Sequence, residues 1–280
     1  MLRRVRSHRR NSSIPEEFFC HRFCPCASGF VQAFSGGVLL PDGRVALIPS
    51  YVGVANHSFI GIYDPQNNTF RHDGGSINAS TSPQSPQKFQ YSGGVLLPDG
   101  RVLLVPNQSS TIGLYDPTDD SFVRGPHISS GGFSGGVLCP NGKVVLVPDR
   151  ATTAVVFDPS TNTATTATRL ATGFRGGVLL RDGRVAFVPH SSNVTSGVML
   201  YDPVGDQTQR DWSCCPNEPP VFNPTPDYGA YYGAVVLPNG TVALVPYDAA
   251  RIGLFTVRLE RGPERSERWS VHKKGDRRDR

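Results

Sequence analysis

The stretch Phe34-Ser35-Gly36-Gly37-Val38-Leu39-Leu40-Pro41-Asp42-Gly43-Arg44-Val45-Ala46-Leu47-Ile48-Pro49 decides the fold, because it returns from Tyr91, Phe133, Phe174 and, in weaker form, Tyr231. The five starts stand 57, 42, 41 and 57 residues apart. A second half follows each start: Gly61-Ile62-Tyr63-Asp64-Pro65, Gly113-Leu114-Tyr115-Asp116-Pro117, Val155-Val156-Phe157-Asp158-Pro159, Met199-Leu200-Tyr201-Asp202-Pro203 and Gly253-Leu254-Phe255-Thr256, the last without Asp-Pro. Self-similarity at a fixed period means stacked copies of one supersecondary unit.

Each unit reads as four strands. The first holds Gly-Gly-Val-Leu-Leu and runs into Asp-Gly or Asn-Gly, the pair expected to form a two-residue primed hairpin with positive φ at both central residues. The second is Arg-Val-x-Leu-Val-Pro, and the third ends in Tyr-Asp-Pro, where the aspartate can accept from a backbone N–H two residues on. The fourth is short, as in Thr69-Phe70-Arg71 and Ser121-Phe122-Val123. Strands one and two are apolar at successive positions, as strands buried on both faces are.

Four strands in a repeat of about 40–45 residues is the propeller period. The expected fold is an all-β, five-bladed β-propeller with four antiparallel strands per blade. The paired glycines let innermost strands crowd together, and the aromatics Phe34, Tyr91, Phe133, Phe174 and Tyr231 pack between blades. Residues 29–257 form the propeller, 1–28 a basic tail with a Cys-rich lead-in, and 258–280 a basic C-terminal tail. The two long spacings place inserted loops at 72–90 and 205–230, and long loops carry function.

The pairing of Leu97-Pro98-Asp99-Gly100-Arg101-Val102 with Leu114-Tyr115-Asp116-Pro117 resembles kelch-type propeller repeats of the galactose-oxidase kind, over about residues 30–257. The resemblance implies a four-stranded blade. It leaves activity open, because such propellers include a copper oxidase, lectin-like binders and interaction scaffolds. No residue here matches the copper-ligand motif, so no cofactor is expected.

Hydrophobic residues make up 38% of the chain and charged ones 18%, with 30 glycines and 24 prolines, which excludes a disordered chain and fits frequent turns. The net charge of +5 is confined to the ends: residues 1–10 carry +5 and residues 258–280 carry +4, which leaves the 247 between at −4. Nucleic acid is therefore expected only as a non-specific partner of the tails. Apolar runs such as Val144-Val145-Leu146-Val147 fall far short of the ~20 residues that span a bilayer. Asn11-Ser12-Ser13-Ile14-Pro15 follows the basic start where a secretory signal would have its apolar segment, which favours an intracellular location. Seven Asn-x-Ser/Thr sequons, at Asn11, Asn56, Asn67, Asn78, Asn107, Asn193 and Asn239, leave an extracellular one open.

Five of six cysteines cluster as Cys20, Cys24, Cys26 and Cys214, Cys215. A closed ring would bring the clusters together, allowing disulfides, unlinked thiols, or a zinc ion with His21 nearby, although the spacing is not a standard zinc pattern. Cys139 reads as an inert buried thiol. The residues after the second-strand prolines, Ser50, Asn107, Asp149, His190 and Tyr247, are expected to gather at one channel mouth, either as loop polarity or as a site for a small polar ligand. Asp42, Asp99, Asn141, Asp182 and Asn239 are turn residues, and no carboxylate pair stands out for glycoside hydrolysis. The expected function is a non-catalytic scaffold for a protein or other macromolecular partner, with Trp212 as an anchor. A glycan-binding lectin and a hydrolase with a channel-mouth site are the alternatives.

Overall fold

Each repeat folds as an antiparallel meander, because its turn signals are too close together to allow any other pairing of neighbouring strands. The computed structural model describes residues 34–52, 59–77, 88–128, 131–169, 172–190, 198–211, 231–249 and 252–256, and the chain divides into two units, residues 1–131 and 132–280. The first unit holds β1 (Phe34–Leu39), β2 (Val45–Pro49), β3 (Tyr51–Val52), β4 (Phe59–Asp64), β5 (Thr69–Ser76), β6 (Lys88–Phe89), β7 (Tyr91–Leu96), β8 (Val102–Pro106), β9 (Thr111–Asp116) and β10 (Ser121–His127). Its sheets are β1-β2-β4-β5 and β7-β8-β9-β10, with β3 paired to β6.

The second unit holds β11 (Phe133–Leu138), β12 (Val144–Pro148), β13 (Thr153–Asp158), β14 (Thr163–Arg169), β15 (Phe174–Leu179), β16 (Val185–Pro189), β17 (Val198–Asp202), β18 (Gln207–Asp211), β19 (Tyr231–Val236), β20 (Val242–Pro246) and β21 (Gly253–Phe255). Its sheets are β11-β12-β13-β14, β15-β16-β17-β18 and, three-stranded among the described residues, β19-β20-β21. The tails 1–28 and 258–280, Trp212 and the clustered cysteines lie outside the described residues, as does most of both inserted loops.

The first hairpin differs from the expected primed turn. Gly43 donates its N–H to Leu40 O at 3.0 Å while Leu40 donates to Arg44 O at 2.8 Å, and the same pair of bonds recurs at Leu97, Cys139, Leu180 and Leu237. Of the turn residues only the glycines have positive φ, 79–89°. A two-residue turn on Asp42-Gly43 would need residue 41 to donate to Arg44 O, and proline has no N–H; Leu40 donates instead, so that Pro41-Asp42 forms a type I turn and Gly43 supplies the left-handed residue that returns the chain to β2. The turn role of the acidic set holds throughout: Asp42, Asp99, Asn141, Asp182 and Asn239 each accept the N–H two residues on at 3.0–3.1 Å. So do Asp64, Asp116, Asp158 and Asp202 at 2.8–3.0 Å. The fourth strands run longer than expected, eight residues in β5 and seven in β10.

Second strands β8, β12 and β16 are buried at every residue, whereas first strands are only partly so, because their glycines leave backbone in view. Successive sheets pack first strand to first strand: β1 on β7 in one unit, β11 on β15 and β15 on β19 in the other. A methyl added to Gly36 would stand 3.3 Å from Gly93 Cα, one on Gly135 3.2 Å from Gly176 Cα, and one on Gly176 3.3 Å from Gly233 Cα. The second glycine receives a side chain of the preceding sheet instead, Ile48 at Gly94 and Val147 at Gly177. Cys139 is buried in this packing, which pushes its thiol up to about 11. On the last sheet the residues equivalent to buried Ile48 and Ile62, namely Val245 and Leu254, are 47% and 55% exposed.

The opening aromatics also pack within their own sheets. Phe34 meets Phe70 edge-on at 6.1 Å, and Tyr91 meets Phe122 at 6.2 Å. Between each pair lies a third-strand glycine: a methyl on Gly113 would come within 2.8 Å of the Phe122 ring and 3.0 Å of Leu104 Cβ. Where that glycine is replaced, by Val155 and Met199, the fourth-strand aromatic is replaced too, by Ala164 and Thr208. Side-chain volume on one strand substitutes for side-chain volume on the next. Gly113→Ala should therefore lower unfolding stability by about 1–3 kcal/mol through overpacking. Gly113→Val with Phe122→Ala, the combination of the third repeat, should cost less than the sum of its two single changes when urea midpoints are compared in a double-mutant cycle.

Candidate functional site

The residues after the second-strand prolines are joined by backbone hydrogen bonds at the strand ends. In the first unit Gln90 donates its N–H to Ser50 O at 2.9 Å and accepts from Asn107 N–H at 2.8 Å. In the second unit Asp149 N–H donates to Gly132 O, Gly173 N–H to Asp149 O, and His190 N–H to Gly173 O. One residue, Gly173, thus links Asp149 to His190 through its N–H and its carbonyl. Gly132 and Gly173 hold φ of 106° and 100°, and a Cβ on Gly132 would press to 2.8 Å from Ala151 N, so this bend requires glycine.

Of the five residues singled out in the sequence, the second unit brings Asp149, His190 and Tyr247 to one cluster, with Arg175, Tyr231, Tyr232 and Asp248. Ser50 is buried and Asn107 half-buried, both in the first unit. Asp149 is only 8% exposed, and its carboxylate receives Arg175 Nε at 3.4 Å. The Arg175 guanidinium lies 5.7 Å from the centre of the Tyr232 ring, within cation–π range. The His190 ring stands 6.0 Å from Tyr232, nearly perpendicular, and 5.8 Å from Tyr247, while the two tyrosine rings are 6.0 Å apart.

His190 Nδ1 lies 2.9 Å from Tyr231 O. A carbonyl oxygen only accepts, so Nδ1 carries the proton and Nε2 keeps its lone pair. Burial holds the imidazole below the ordinary histidine range, and the Arg175 charge adds to this against the opposing pull of the Tyr231 carbonyl, Asp149 and Asp248. His190 is therefore a neutral base near pH 7. Among the described residues no three His, Cys, Asp or Glu side chains gather as a metal site, and no helix is long and apolar enough to cross a membrane.

Arg175 and Tyr232 escaped the sequence reading, although a signal for them exists. Both occupy the second position of the opening strand, where the first three repeats have Ser35, Ser92 and Ser134. In the first repeat this serine fastens sheets together: Ser35 Oγ accepts the Gly93 N–H at 3.0 Å and reaches Tyr91 O at 3.3 Å. The fourth and fifth repeats give up that fastening for a cation and a ring beside His190.

No protein-family model matches the chain, and no curated protein is similar to it in sequence. Solved structures share its fold. Virginiamycin B lyase of Staphylococcus aureus aligns with 12% identity and a TM-score of 0.56 over 80% of this chain and 70% of that one. Its catalytically inactive histidine-to-alanine form with quinupristin aligns with 12% identity and a TM-score of 0.54 over the same shares. A streptogramin B lyase aligns with 14% identity and a TM-score of 0.58, over 81% of this chain and 68% of that one. These are β-propeller proteins, and this all-β chain has a propeller-type fold. The neighbours overturn the expectation of a non-catalytic scaffold, since they are enzymes. That expectation came from averaging over repeats, which hides the positions where single copies depart.

Arg175→Ser should destabilise the protein by about 1–3 kcal/mol, because it leaves the buried Asp149 carboxylate without its cation. Adding Asp149→Asn removes that charge and lets the serine act as Ser35 does, so the double variant should melt above Arg175→Ser alone. A double variant that melts lower still would show that the pair is not coupled in this way.

Proposed function

We propose that this chain is a lyase-like enzyme whose site lies at the strand ends of the second unit, on His190, Arg175, Asp149, Tyr232 and Tyr247. The five repeats are read as the five blades of one propeller spanning residues 29–257, with kelch-like units. The observation that carries the proposal is His190 itself, pinned through Nδ1 to Tyr231 O with Nε2 left as a base beside a guanidinium. The inactivity of the histidine-to-alanine form of a lyase with the same fold supports the reading.

In this scheme His190 Nε2 takes a proton from the carbon next to a substrate carbonyl. The C–H electron pair becomes a C=C bond as the bond to a leaving oxygen or nitrogen on the next carbon breaks, and the imidazolium returns the proton to the leaving group. Arg175 stands beside the charge that develops on the carbonyl oxygen, and buried Asp149 positions it through Nε. Water is not consumed.

Incubation with virginiamycin B or quinupristin, read by mass spectrometry, tests the scheme. Elimination conserves mass between substrate and products, while addition of one water would overturn it. His190→Gln should lower the rate by about 10²–10⁴-fold. The wild-type rate should rise with pH and level off, because protonated His190 is inactive, and its acid limb should lie below the ordinary histidine range. The same depressed titration makes folding stability fall with acid: below the ordinary histidine range the unfolded chain binds a proton that folded His190 still refuses.

A further inference from the structure

We infer that Tyr232 and Tyr247 form an aryl-binding platform, so that the site takes a carbonyl or carboxylate compound carrying a planar aromatic group. The inference rests on the proposed site and names its substrate class. Tyr232 is 46% exposed and Tyr247 62%, whereas the aromatics that open the second, third and fourth repeats are buried. Two exposed rings side by side lose burial that a ligand ring restores.

Their positions are not dictated by the repeat. Tyr247 stands where the other copies have Ser50, Asn107, Asp149 and His190, and Tyr232 where three of them have serine. The two rings meet at 37°, and His190 stands at 85° and 57° to them, so the three surfaces converge instead of stacking face to face and excluding a guest. Arg175, over Tyr232, puts a fixed positive charge at one end of the platform. A ring seated against the tyrosines and an oxygen at Arg175 satisfy both features together.

Ligand-observed NMR titration of the full chain with phenylacetate, cyclohexylacetate and acetate tests the assignment without turnover. Phenylacetate should bind more tightly than cyclohexylacetate, and acetate most weakly. Tyr232→Ala and Tyr247→Ala should each weaken phenylacetate about two- to tenfold and leave acetate unchanged, while the corresponding Phe variants retain binding, since the ring face makes the contact. Equal affinity for phenylacetate and cyclohexylacetate, or Ala variants that bind as wild type does, would overturn the platform. Aryl binding without elimination would sink the lyase reading alone, and elimination indifferent to aryl groups would sink the platform alone.

Discussion

The approach of one glycine backbone to the next governs this structure. First strands of neighbouring sheets within a unit lie so close at Gly36, Gly135 and Gly176 that even a methyl group would stand within 3.3 Å of the facing Cα. That closeness lets Ile48 and Val147 fill the space over the second glycine of the following sheet, and it brings the ends of second strands near enough for one residue to link two of them. Asp149 and His190 are neighbours for that reason, although 41 residues separate them in the chain.

A repeat protein divides its positions into those that every copy needs and those that single copies are free to change. The Asp-Gly turns, the Asp-Pro turns and the glycine pairs belong to the first kind. The second position of the opening strand belongs to both. Its serine fastens one sheet to the next in the first repeat, and its loss in the fourth and fifth releases two side chains toward the strand ends. The proposed site thus lies where the repeat relaxes its own rule, and an ion pair to a buried carboxylate takes over at Arg175.

Much of the fold was legible from residue pattern. Period, strand content and the turn role of the acidic set follow from short-range chemistry, since Asp-Gly and Asp-Pro act within a few residues of themselves. The turn type departs from the primed turn that Asp-Gly alone suggests, because the preceding Pro41 has no N–H with which to close it. Repeat alignment singles out Asp149, His190 and Tyr247 as one set with Ser50 and Asn107. It does not single out Arg175 and Tyr232, because the serine they replace shows its meaning only once Gly93 is seen facing Ser35. The scaffold expectation failed for the same reason, as a repeat pattern carries no information on a site made of its exceptions.

The meander order of the strands has a consequence for how the chain folds. Within each four-stranded sheet neighbouring strands follow one another along the repeat, with β3 alone stepping out of the first to pair with β6, so that loop closure within a sheet is short and its entropy cost small. Stacking is the step that demands distant partners, and it needs little more than bare backbone to meet bare backbone. Folding can therefore begin in any repeat and spread to the next, with stability distributed as nearest-neighbour terms along the array. Within the second unit, the middle sheet, which packs against a neighbour on both sides, should then exchange its amide hydrogens more slowly than β19-β20-β21, where Val245 and Leu254 are exposed.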